Sequence, residues 1–470
     1  MAEEPQLYED MEAFDSLREK NIFLLYPIMC YNEQYLPVKM KHLYVWREEK
    51  TGRVRVCLKM KKVMAVLLAF SACVALSACS APGEKEEQTA SRPSSESEVI
   101  TSAEAEEESS PASLPLEQAK MREEIVTVTA YDGLKFDGKL RLPEGDPVEK
   151  LVIYVNGSGP NTYDNKRQAG DITFHYHDLF AQQFTQEGIA YFSYNTRGVT
   201  VGQEAPYFAD IAEDDYLTYL PENEVKDVEA IIRQLKADSR LQNAKVILLG
   251  WSEGTMIAPL VALGEEVPVD ALFLAGYCNE TMADILDWQL TGGSSMVTVG
   301  AYLDGDRDGN ITKEEYDSDP YQVAAQLGTF EELDGNGDGQ INREDFREML
   351  KETHDETFRA FDGGDDEWLK ENYGVRLTSA WFLAHRKLAP NRETLPKLTL
   401  PIYIFQGTID ANVPVEQSRE IAETFRTLGK TNLHLQEFEM HDHDLNYISY
   451  PLYGTISEGL QAIFDAAKGL

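Results

Sequence analysis

From about Glu124 to the end, the chain repeats one pattern: a short unbroken apolar run, a turn, then an amphipathic stretch of helical period. The runs are Leu151–Val155, Ile189–Tyr194, Val246–Leu249, Ala271–Ala275, Leu400–Phe405 and Leu433–Phe438, and Glu224–Leu235 and Ser418–Leu428 are two of the amphipathic stretches. Continuous apolar strands are buried on both faces, and strands alternating with helices are joined by crossovers, so the pattern requires a mostly parallel sheet flanked by helices. Ahead of it, Ile125–Ala130 and Leu134–Leu142 form a hairpin around Asp132-Gly133. One long interruption, residues 279–395, separates the fourth and fifth of these runs.

The strand ending at Leu249 runs into Gly250-Trp251-Ser252-Glu253-Gly254 and then a helix-compatible apolar stretch. A buried strand, a sharp turn and a helix are the context in which G-x-S-x-G lifts a serine hydroxyl above a sheet. The alternative is a serine at an ordinary strand–helix turn, and the partners argue against it. Leu400–Phe405 is followed by a Gly turn and Asp410, and Leu433–Phe438 by His441-Asp442-His443-Asp444-Leu445-Asn446. Serine, acid and histidine therefore occur in the order this chemistry uses, 158 and 33 residues apart. The interruption accounts for the first, long spacing.

Asn156-Gly157-Ser158-Gly159-Pro160 after the first apolar run resembles the His-Gly-x-Gly-Pro loop of esterase and peptidase-like α/β-hydrolases. Tyr194-Asn195-Thr196-Arg197-Gly198 resembles their Tyr-Asp-x-Arg-Gly turn. With the serine and histidine motifs, residues 124–470 resemble the α/β-hydrolase superfamily. That resemblance implies Ser252 as nucleophile, Asp410 as the acid orienting a histidine, and the backbone amides of Ser158 and Glu253 as the oxyanion hole. His441 and His443 both compete for the histidine role; Asp442-His443-Asp444-Leu445-Asn446 matches the family's turn and favours His443. Arg197 is expected to brace its loop through a carboxylate, and Asp442 and Asp444 to face solvent. Asn156 stands where the family has histidine, and Trp251 where it has His or Tyr.

Inside the interruption lie two twelve-residue acidic loops. Asp304, Asp306, Asp308, Asn310, Thr312 and Glu315 occupy positions 1, 3, 5, 7, 9 and 12 of the first, with Gly309 at the sharp turn. Asp334, Asn336, Asp338, Gln340, Asn342 and Asp345 occupy the same positions in the second, with Gly339. This is the EF-hand arrangement of hard oxygen ligands, position 7 supplying its backbone carbonyl, and it points to Ca²⁺. Asp345 is shorter than the usual Glu, so the second site is expected to be weaker. Residues 300–370 hold 21 acidic and 7 basic side chains, so cations should relieve their mutual repulsion. The position after the sixth strand is where α/β-hydrolases carry a cap, and the expectation is a calcium-stabilised lid in which calcium is structural or regulatory and not required by the chemistry.

The whole chain of 470 residues carries a formal charge of −38, which excludes phosphate-backbone binding as its business. Residues 1–79 are nearly neutral, with 11 basic and 10 acidic side chains. Two lysines, the uncharged run Val63–Ala78 and Leu76-Ser77-Ala78-Cys79 have the layout of a secretory signal ending in a lipobox. The resemblance to bacterial lipoproteins implies cleavage before Cys79 and lipidation of its sulfur. Met60 is then the expected natural start and 1–59 upstream sequence. Residues 80–118, rich in Ser, Glu, Ala and Pro, read as a flexible tether. Of five cysteines only Cys278 lies beyond Cys79, so the globular part has no internal disulfide and no Cys-x-x-Cys site.

The division is therefore 1–59 extension, 60–79 signal, 80–118 tether, 119–278 and 396–470 hydrolase core, and 279–395 cap insertion. The function expected is an extracytoplasmic, membrane-tethered serine hydrolase of the carboxylesterase kind. Its partners are a small-molecule ester and a membrane reached through the lipid, with no nucleic acid and no identifiable protein partner. The alternatives are a serine peptidase or amidase, and a calcium-dependent binding protein on an inactive hydrolase scaffold.

Overall fold

The computed structural model describes residues 121–470 apart from Asp146 and Asp171; the signal, Cys79 and the tether lie outside the described residues. Eight strands form the main sheet: β1 (Arg122–Thr129), β2 (Lys135–Leu142), β3 (Lys150–Val155), β4 (Ala190–Tyr194), β5 (Lys245–Trp251), β6 (Ala271–Ala275), β7 (Ile402–Gly407) and β8 (Leu433–Phe438). Their spatial order is β1-β2-β4-β3-β5-β6-β7-β8. The β1–β2 hairpin and the β2–β4 pair are antiparallel, and every other pair is parallel.

Strands β3 to β7 bury both faces almost throughout, while the edge strand β8 stays partly exposed. Leu151, Ile153 and Val155 of β3 join one core with α2 (Pro221–Lys236), α3 (Gly254–Gly264) and α9 (Val415–Thr427), while Val152 and Tyr154 join the other with α1 (Tyr176–Gln186) and α10 (Glu458–Gly469). Helix α2 shows why its segment folds so: Pro221 opens it, acidic residues occupy its first turn and Arg233 and Lys236 its last. Its Val228, Ile231, Ile232 and Leu235 fall on one face and are fully buried or nearly so. Each such aliphatic side chain is worth about 1.5–3 kcal/mol over exposure.

The chain leaves the sheet after β6 and returns at β7. Between them run α4 (Met282–Leu290), α5 (Gly293–Leu303), the two acidic loops, α6 (Arg343–Gly363), α7 (Asp366–Asn372) and α8 (Ser379–His385). This insertion has two cores. Ile311 and Ile341 pair side by side across the loops and pack with Leu303, Tyr316, Phe330 and Phe346. Ile285, Phe361, Trp381 and Phe382 instead pack with Tyr219, Met256 of α3 and Val413, residues of the main sheet body. Helix α6 reaches both, through Phe346 and Phe361. No helix of the described residues is long and apolar enough to cross a membrane.

Register then sets the site. Val155 pairs with Gly250 and Trp251 with Ala275, so β3, β5 and β6 end side by side; Gly407 pairs with Phe438, which brings the segments after β7 and β8 together. Carboxyl ends of strands in an open α/β sheet are where ligands bind.

Candidate active site and calcium loops

Ser252 has φ +53°, a strained left-handed conformation for a residue with a side chain. The flanking glycines permit it. A Cβ on Gly250 would collide with the backbone of Gly254, and one on Gly254 with the carbonyl of Val155. The Ser252 amide donates to Ala275 O (2.9 Å) and its carbonyl accepts from the Thr255 amide (2.8 Å), fixing the turn between β5 and α3.

Asp410 is almost wholly buried. Its Oδ1 accepts from the amides of Asn412 (2.8 Å) and Val413 (2.9 Å), and its Oδ2 from Gln406 Nε2 (2.8 Å). These donors leave the carboxylate one orientation, toward His443, whose Nδ1 donates to it at 2.9–3.0 Å. The Trp251 indole donates to His443 O (3.1 Å), tying the histidine's backbone to the residue before Ser252. The His443 ring lies over Gly276, where any Cβ would strike it. Burial disfavours the imidazolium, but the Asp410 charge and hydrogen bond, with Asp444 and Asp442 beyond, outweigh it and raise the His443 pKa. His441 does not join this group: its Nδ1 donates to Glu439 O (2.8 Å) and its Nε2 accepts from the Gly459 amide.

The expectation that Asp442 and Asp444 face solvent is corrected. Both are half-buried: Asp442 Oδ1 accepts from the amides of Asp444 (3.0 Å) and Asn446 (2.7 Å), and Asp444 pairs with Arg167 (3.3 Å). Burial and the neighbouring Asp444 push Asp442 up to about 6. These carboxylates shape the histidine loop by binding backbone amides and a half-buried guanidinium.

The loop Asn156–Pro160 lies against the serine turn, since a Cβ on Gly157 would stand 3.3 Å from Trp251 O and 3.4 Å from Ser252 Cβ. Ser158 and Glu253 therefore flank the serine from β3 and from the start of α3. Arg197 braces its turn as expected, between Asp227 (2.5 Å) and Asp132 (2.8 Å). Cys278 also lies near, 3.5 Å from Ser252 O, but burial pushes its thiol up to about 12, so it is no rival nucleophile.

One functional feature escaped the sequence. The Glu253 side chain, read only for its amide, is fully buried among Tyr219, Trp381 and His385. The available signal was a carboxylate opening an otherwise uncharged helix, because a buried charge requires partners.

In the first acidic loop, oxygens of Asp304, Asp306 and Glu315 lie within 4.8 Å of one another. The Asp308 and Gly309 amides fold the loop around Asp304 (3.2 and 2.9 Å), and Gly309 takes φ +88°. Convergent hard carboxylates on a loop held open by its own amides fit Ca²⁺. In the second loop Asp334 accepts from the Gly337, Asp338 and Gly339 amides, and the Asp345 carboxylate from Gly335 and Asn342.

The fold is that of the α/β-hydrolases, carrying an EF-hand pair after its sixth strand. The EF-hand family, described as "EF hand", matches residues 301–318 and 327–350. Among solved structures, an esterase from Exiguobacterium antarcticum aligns at 16% identity over 73% of this chain and 99% of its own, with TM-score 0.38. The α/β hydrolase GrgF from a Penicillium species aligns at 15% identity over 74% and 98%, with TM-score 0.42. For the acylaminoacyl peptidase of Pyrococcus horikoshii the values are 12%, 70% and 39%, and 0.38. None of the curated proteins matches the sequence.

Proposed function

We propose that this protein is a membrane-tethered, extracytoplasmic serine hydrolase that cleaves carboxylic esters with Ser252, His443 and Asp410. The observation that carries the reading is the coincidence of a serine at φ +53° on a glycine-flanked turn with a histidine clamped by a buried aspartate. With Nδ1–H held by Asp410, the tautomer leaves His443 Nε2 free to take the Ser252 proton as Oγ attacks the acyl carbon. The amides of Ser158 and Glu253 would stabilise the oxyanion. The alcohol leaves with the proton from His443, and water, activated by the same ring, releases the acid and restores the serine.

Calcium would be held by Asp304, Asp306, Asp308, Asn310 O, Thr312 and Glu315, and by the corresponding oxygens of the second loop. It supplies charge neutralisation to the insertion, and no bond-making step needs it. Supporting this role, the insertion grips the acid loop: Ser294 Oγ donates to Ala411 O (2.5 Å) and Gln289 Nε2 to Asn412 O (2.8 Å). Arg307 of the first loop pairs with Glu439, four residues before His443 (2.6 Å). The tether reading rests on the signal pattern ending at Cys79.

Hydrolysis of a p-nitrophenyl ester compared with the p-nitroanilide of the same acyl group tests the reaction. Ester turnover that Ser252→Ala abolishes is expected; turnover confined to the anilide would replace the esterase reading by an amidase one.

A further inference from the structure

Immediately behind the serine, Glu253 sits at zero exposure between two parts of the molecule. Its Oε2 accepts from Tyr219 O–H (2.6 Å), and the same Tyr219 oxygen accepts the Gly159 amide (3.2 Å) from the loop after β3. Its Oε1 accepts from Trp381 Nε1 (2.8 Å) and His385 Nε2 (2.6 Å), both on helix α8 of the insertion. The insertion touches the same loop directly, since Val375 lies 3.1 Å from where a Cβ on Gly159 would stand, and Gly159 itself takes φ +101°.

Three side chains are spent on one carboxylate that contributes only its backbone to the chemistry. Burial favours the neutral acid, but His385, Tyr219 and Glu224 hold Glu253 below the ordinary carboxylate range, while burial and Glu253 push Glu224 well above it. An ionised, dry acceptor strengthens each hydrogen bond it receives. Tyr219 therefore keeps its O–H pointed at Glu253 and its lone pair at Gly159.

We propose that the Glu253 side chain is a positioning residue: through Tyr219 it holds the oxyanion loop at Gly159, and through Trp381 and His385 it makes helix α8 part of that hold. The inference rests on the serine-hydrolase reading for its catalytic consequence, though not for the hold itself. It assigns the apolar half of the insertion a task in transition-state geometry beyond covering the site.

The test uses the full chain with Ca²⁺ present and three substitutions, Glu253→Gln, Tyr219→Phe and Trp381→Phe; Tyr219→Phe removes one hydroxyl with little change of shape, whereas Trp381→Phe removes the indole N–H together with part of the ring system. Amide hydrogen exchange of residues 156–159 and kcat and KM for a p-nitrophenyl ester are measured together. The expected result is faster exchange of that loop in all three, with kcat down about ten- to a hundredfold and KM within about twofold, because a displaced oxyanion donor costs the transition state and not substrate binding. Unchanged exchange overturns the proposal, as does faster exchange with parental kcat, or a loss confined to KM. If the parent takes no fluorophosphonate at Ser252 yet loop exchange still responds, the hold stands and the hydrolase reading is what fails.

Discussion

The two halves of the insertion are built on opposite principles. Around α8, Trp381, Phe382 and Phe361 pack with Tyr219 and Met256 of the sheet body, so that half shares the body's core. Around the EF-hand loops, a small core of its own is wrapped in carboxylates and reaches the body by polar contacts at Ala411 and Glu439. The first half should unfold only with the sheet body, and the second should answer to calcium. A segment can therefore be continuous in sequence and belong to two cooperative units, joined here by α6.

The strongest way to break this contrast is Trp381→Ala. Removing a fully buried indole should cost about 3–5 kcal/mol of global stability, seen as a lower urea midpoint of the whole sheet body, not of the insertion alone. Gly276→Ala touches neither half. It drives a methyl into the His443 ring and should lower kcat by about a hundredfold or more with Ca²⁺ bound, in a protein that still unfolds as one body.

Calcium removal sharpens the comparison. Saturating ion at about 100 times Kd contributes roughly 2.7 kcal/mol, so EGTA should lower the melting temperature and speed exchange in 293–350 before β3, β5 and β6. Equal melting temperature and equal kcat/KM in EGTA and in calcium would remove the ion from the account.

The histidine loop carries a smaller, pH-dependent effect. Because the His443 pKa is raised and the base must be neutral, kcat/KM should climb with pH through a midpoint above 6.5. Asp442→Asn removes one of the charges that raise it and should move that midpoint down. Smallest of all, Arg307→Ala breaks an ion pair with both partners more than half exposed, and should change stability by less than about 1 kcal/mol.

Much of this was legible in the sequence because the signals were periodic or tied to a motif. Unbroken apolar runs announced the parallel strands, and the glycines around Ser252 announced the turn whose collisions the structure makes explicit. The EF-hand loops could be read position by position because each ligand is local. What was not legible depends on long-range approach. Trp251, set down as a departure from the family, turns out to hold His443 by its indole N–H, 192 residues away. The partners of Glu253 come from Tyr219 and from α8, and no spacing links them. Asp442 and Asp444 looked like solvated charges because nothing in their neighbourhood shows that Arg167 and backbone amides take them.

The central claim is that Ser252 is a live nucleophile served by His443 and Asp410. The most direct measurement is fluorophosphonate labelling of the full chain in Ca²⁺ and in EGTA, beside Ser252→Ala and His443→Ala. One phosphonylated residue, Ser252, is expected in the parent, none in Ser252→Ala, and strongly slowed labelling in His443→Ala. A parent that stays unlabelled in both conditions, or one labelled equally well without Ser252, would contradict it.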